Sequence, residues 1–265
     1  MAALLAGLSF AGLVLLLGGT FARRWLTPST PRLRWLGAGL GLLLLGWCGQ
    51  VTVTLTTLGF TAPADVLAYL TTTGTGRSML LGSIGALVLL AAETGGGKWP
   101  VSLGAALVTA WGVAGVGHAA GHGSWVQALH AAHTLAMSVW VGGVLAVLRA
   151  RPLNAALARR FTPVALGSVL VLTVTGLLMS GEHLTTPAQW LGSLYGQVLL
   201  VKLALVALAV GAAVLVRRAF AARRPQVRLH LAREALVLVA VLGVTAVLTT
   251  QPPPQSAHPA HGGPP

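Results

Sequence analysis

Acidic side chains are scarce, 4 Asp and Glu against 17 Lys and Arg in 265 residues, and charged residues of all kinds make up 8% of the chain. So few carboxylates leave little scope for paired-carboxylate acid and base chemistry. No P-loop or nucleophile elbow is present either, so hydrolysis and phosphoryl transfer are excluded and the chain does not read as an enzyme. Cysteine is nearly absent: Cys48 stands alone in an apolar segment, which forbids an intramolecular disulfide and reads as a buried structural thiol in preference to a metal ligand. The first apolar run starts at Met1 with no basic residues ahead of it, and Arg23 and Arg24 follow it. That order is the reverse of a cleavable signal peptide.

What the chain has instead is apolar surface. Hydrophobic residues are 55% of the sequence and the mean hydropathy is +0.82, beyond the range of soluble domains. Its solvent is lipid. A net charge of +13 would ordinarily suggest nucleic acid, but the cations sit in short connections between apolar runs and form no stripe, so no nucleic-acid partner is expected. A membrane span needs roughly 20 apolar residues. Eight segments qualify, at 3–21, 36–58, 77–92, 99–117, 125–148, 161–180, 195–216 and 235–250. The predicted fold class is therefore all-α, a polytopic membrane helix bundle of about eight helices, forming one transmembrane domain over 1–250 with a Pro- and His-containing tail at 251–265. Fifteen of the 17 cations fall in alternate connections, while the stretches 60–75, 119–124 and 181–194 hold none. Cytoplasmic loops collect Lys and Arg, so both termini are expected on the outer side.

The two longer outer loops resemble one another, Thr-Ala-Pro-Ala-Asp-Val-Leu from Thr61 and Thr-Thr-Pro-Ala-Gln-Trp-Leu from Thr185, and each leads to a glycine and a descending helix at Gly76-Arg77 and Gly196-Gln197. Parallel four-helix repeats and chance similarity both fit. The runs Gly37-Ala38-Gly39-Leu40-Gly41 and Gly142-Gly143 are packing signals that let helices approach closely.

Histidine is the informative residue, because spanning a membrane does not require it. Five of the eight gather at the outer ends of three predicted helices: His118 and His122 at i, i+4, His130 and His133 at i, i+3, and His183 beside Glu182. Each pair faces one side of its helix. Met137 continues the second stripe inward, and Met179 lies four residues before His183. Imidazole and thioether suit copper better than they suit Mg or Ca. The ordinary alternative for any one histidine is an interfacial ring bonded to a loop carbonyl, and for each methionine it is core packing. Clustering favours a site. Lys202, two turns into its helix, either lines a wet cavity or snorkels to the outer surface, with Glu182 as a counter-charge. Arg77 reads as a headgroup anchor, and His258 and His261 as part of a solvated tail.

Gly117-His118-Ala119, Ala128-Leu129-His130 and Trp140-Val141-Gly142-Gly143 resemble the core of the copper resistance protein D (CopD) family. Thr175-Gly176, Tyr195-Gly196 and Leu199-Leu200-Val201-Lys202-Leu203 are similar to its later pattern. The resemblance runs from about 103 to 216. It implies a multi-pass protein of the bacterial inner membrane that takes up or handles copper, often with a periplasmic CopC-like copper-binding partner, with His118 and His130 matching the motif histidines and Lys202 its lysine. His122, His133 and His183 are proposed from position alone. On this reading copper enters from the outer side, binds His118, His122, His130 and His133, and passes Met137. The rival class is a b-type haem protein of electron transfer, for which the same imidazoles would serve as axial ligands; a third reading is that they only dock a partner.

Overall fold

A computed structural model gives the fold and describes residues 1–26, 33–116, 123–151, 153, 155–183, 186–222 and 226–251, the side chains of 181–183 and 187 excepted. His118, His122, His258 and His261 lie outside the described residues. All regular structure among them is helical: α1 (Ala2–Leu26), α2 (Leu33–Thr57), α3 (Pro63–Thr72), α4 (Gly74–Thr94), α5 (Trp99–Ala114), α6 (Gly123–Arg149), α7 (Ala155–His183), α8 (Pro187–Gly192), α9 (Leu194–Ala221) and α10 (Val227–Leu248).

Seven of these are long and apolar enough to cross a membrane, which makes the chain an all-α polytopic bundle. The predicted fourth span, α5, has 16 residues and reaches about 24 Å at 1.5 Å per residue, short of a bilayer core. Leu166, Leu170, Leu177, Leu236 and many other large apolar side chains are exposed, as lipid-facing residues must be when the solvent is hydrocarbon. Cys48 corrects an expectation on the same ground. It is exposed on α2, because an apolar run in a membrane is apolar on its lipid side too, and burial cannot be read from hydropathy. Trp25, Trp99 and Trp125 are exposed at helix ends, where an amphipathic ring meets the membrane surface.

The loop similarity has a structural counterpart. Both stretches fold into a short helix, α3 and α8, with proline in the first turn. The Asp65 carboxylate accepts from the Ala62 N–H at 2.9 Å and the Gln189 side chain from the Thr186 N–H at 3.2 Å, each satisfying an orphan donor of a helix start. The chain then turns sharply. Thr73 and Ser193 cap the next helices by accepting from the Gly76 and Gly196 N–H groups at 2.9 and 3.0 Å. Their hydroxyls donate back to Tyr69 and Gln189 carbonyls. A Cβ at Gly76 or Gly196 would run into the carbonyls of the preceding short helix. Arg77 and Gln197 each reach back to a carbonyl six residues earlier, Thr71 at 2.7 Å and Leu191 at 2.8 Å. Arg77 is thus tied to the turn.

The halves α1–α5 and α6–α10 pack reciprocally: α1 on α2 as α6 on α7, α4 on α5 as α9 on α10, and α5 on α6 as α10 on α1. At the centre α1 crosses α6. A Cβ on Gly18 would strike the Ser138 carbonyl and the Gly142 Cα, and one on Gly142 would lie 2.6 Å from the Gly18 Cα and 2.9 Å from the Val14 carbonyl. Val14 precedes Ser138 by the same 124 residues that separate Gly18 from Gly142. Such exchanged contacts are what a two-fold relation generates, here between parallel repeats within one chain.

At the arginine-rich end both halves are stitched, by different chemistry. Arg24 of α1 donates to Glu93 at 2.7 Å, to the Gly97 carbonyl at 2.7 Å and to Ser102 at 3.0 Å, and Ser102 donates to Glu93 at 2.7 Å. In the second half Arg228 donates to the Leu148 and Ala150 carbonyls at the end of α6, at 3.1 and 2.9 Å. Arg149 lies over the Trp35 ring at 5.7 Å.

Candidate functional site

The N-terminal half of α6 begins at Gly123, whose φ of +84° suits glycine. Steps of three, four and three residues then place His130, His133, Met137 and Trp140 along one stripe. Met137 and Trp140 are buried, whereas the two histidines are half-buried. The stripe faces α7, where Thr175 and Met179 sit four residues apart, with His183 a further turn along the backbone.

One contact defines the site chemically. The His133 Nδ1 lies 2.8 Å from the Thr175 Oγ1, and the Thr175 hydroxyl donates to the Val171 carbonyl at 2.6 Å. A hydroxyl has one proton. The contact to Val171 favours Oγ1 as acceptor from His133, the arrangement in which the ring carries its hydrogen on Nδ1 and presents the Nε2 lone pair. That is how metal-ligating imidazoles are usually held, by a hydrogen bond through the other nitrogen. Gly176 gives the ring its space, with the His133 Cε1 at ordinary contact from where a Cβ would stand.

Lys202 of α9 and His130 both lie within electrostatic reach of His133. Lys202 is half-buried in a membrane-spanning helix.

The structure thus brings His130, His133 and Lys202 together, with Met137 below them and Met179 on the adjoining helix. Glu182 and His183 stand on the last turn of α7, and their side chains lie outside the described residues, as do His118 and His122 entirely. Among the described residues no three His, Cys, Asp or Glu side chains gather in a metal-binding group. Sequence reasoning missed the hydroxyl of Thr175 as the group that orients His133; a threonine in an apolar helix normally bonds its own backbone, so its type alone carries no such signal. It also missed Glu234, which falls one residue before the expected start of the last span.

The first half differs at the matching place. Ser9 precedes His133 by the 124-residue spacing of the repeat, and Gln50 of α2 donates to it at 3.3 Å. Both line a cavity of about 220 Å³ with Phe10, Trp47, Thr54 and Val113. Among the described residues histidine occurs only in the second half.

Residues 155–248, from α7 through α10, match the family model described as Copper resistance protein D. No curated protein and no solved structure matches the chain. The matched segment includes Thr175, Met179 and Lys202 and overlaps the expected region from 155 to 216, while the stripe of α6 precedes it. The segment α7–α10 is thus similar to the CopD family.

Proposed function

We propose that the protein is a copper uptake or resistance protein of the bacterial inner membrane, which takes the ion from the outer side through a cluster of His118, His122, His130 and His133. Met137 and Met179 supply the next, softer ligands, and His183 and Glu182 border the mouth. The orientation of His133 supports this reading most: its bond to Thr175 leaves Nε2 with the lone pair that a metal needs. Exchange between imidazole and thioether keeps each stop weak enough to leave. Copper is the cargo, with no catalytic step. A periplasmic copper-binding protein of the CopC kind is the partner that would deliver it, and the surrounding lipid is the only other contact proposed.

The test is copper accumulation in cells expressing the native protein, His118→Ala, His130→Ala or His133→Ala. Accumulation should fall in each variant, and unchanged accumulation in all three removes the proposal. An intense Soret band from the purified protein would replace copper by haem as the ligand of these rings.

A further inference from the structure

The four acidic residues are treated very differently by the fold. Asp65 closes a cap, Glu182 stands at the outer end of α7, and Glu93 is buried against Arg24 and Ser102. Glu234 is the exception. It is 3% exposed on the membrane-spanning α10, set among Leu231, Ala235, Leu238 and Trp140 in the apolar core of the second half. Its polar neighbour is the buried N–H of the Trp140 indole. All ion pairs among the described residues belong to Glu93.

Among the described residues, the helices packed against α10 bring no counter-charge. On α1, Arg23 and Arg24 are directed to Glu93. On α9, Arg217 and Arg218 are exposed and Lys202 lies in the outer half. On α6, His130 and His133 are at the outer end, and Arg149 stacks on Trp35. On α10 itself Arg228 and Arg233 are exposed, and His230 is half-buried one turn nearer the arginine-rich end, on the same face as Glu234. A carboxylate in such a place is costly when ionised.

We infer that Glu234 is a proton-binding site of the bundle, reached from the arginine-rich end past His230, and that it couples copper movement to the proton gradient. The proton site stands on its own geometry; the coupling rests on the transport reading above. The chain has no nucleotide-binding motif, and proton exchange at Glu234 would give transport its direction. The step is a plain protonation: the carboxylate takes one proton from solvent and returns it, with no other bond changed.

The decisive measurement is an infrared pH titration of the purified protein in lipid nanodiscs, for the native chain, Glu234→Gln and Glu234→Asp. With four acidic side chains in the whole protein, the C=O stretch of a buried carboxylic acid is assignable. A titrating, deuterium-sensitive band should be present in the native protein, absent in Glu234→Gln and displaced in Glu234→Asp. No such band in the native protein, or the same band in Glu234→Gln, overturns the site. In proteoliposomes, copper flux of the native protein should rise severalfold when a pH gradient is imposed, and Glu234→Gln should lose that response. A response kept in Glu234→Gln overturns the coupling. Absence of copper flux in the native protein overturns the transport reading and the coupling with it, and the infrared band still decides the proton site.

Discussion

The proton on His133 is placed by a neighbour that carries no charge. Thr175 touches both the Val171 carbonyl and the His133 Nδ1, and with its hydrogen on Val171 it accepts from the ring, which makes it a positioning residue for the proposed copper ligand. Thr175→Val, nearly the same size, should lower copper(I) affinity by roughly 10-fold to 100-fold, the usual effect of losing such an orienting bond. Competition against a chromophoric chelator measures it. Thr175→Ser should restore most of the affinity, and ¹⁵N NMR of labelled histidine should show His133 losing its Nδ1–H form in the valine variant alone. None of this was legible from residue type. His130, His133 and Met137 stood out because polar and sulfur side chains on an apolar helix demand a reason, whereas Thr175 entered only as part of a family-like pattern and Glu234 not at all, and the fold supplies what each of them touches.

At the scale of elements, helix ends and crossings account for most of the specific contacts. Thr73 and Ser193 hold the sharp turns into α4 and α9, and replacing either by alanine should cost about 1 kcal/mol, the ordinary value of an N-cap, seen as a lowered unfolding temperature in detergent. Arg24 carries more. Glu93 is 7% exposed, and Arg24→Ala strands its carboxylate beside Ser102 and the partly exposed Arg23, at about 3 kcal/mol. The double variant Arg24→Ala with Glu93→Leu should be more stable than Arg24→Ala alone, because it removes the stranded charge; thermal unfolding of the set checks the order. Seven of the eight expected spans were legible, since length and hydropathy suffice to find them, while α5 is shorter than the sequence suggests. The helices α3 and α8 were read as loops, because six to ten residues with mixed polarity carry too little periodicity to announce a helix.

For the whole molecule the central fact is the reciprocal crossing of α1 and α6. Gly142→Leu should separate the halves and cost about 1–3 kcal/mol by overpacking, whereas Gly37→Leu, where nothing stands within 4 Å of the added Cβ, should fall within about 0.5 kcal/mol of the native protein. Unfolding of the two variants in parallel is the check. Both glycines lie in runs that the sequence marks as packing signals, yet of the first run Gly39 makes the close approach, to Leu16 and Gly12, and Gly37 and Gly41 face open space. By itself the sequence determined that the chain is a membrane helix bundle, where its spans run, and that its unusual side chains are histidines near one end. Backbone hydrogen bonding in lipid permits little else, and apolar length is a one-dimensional property. Tertiary structure alone decided which glycines touch, which hydroxyl fixes which imidazole and which carboxylate is left without a cation. Those outcomes depend on how the helices are rotated against one another, and with hydrocarbon on one side and protein on the other, an evenly apolar helix records no such rotation in its sequence.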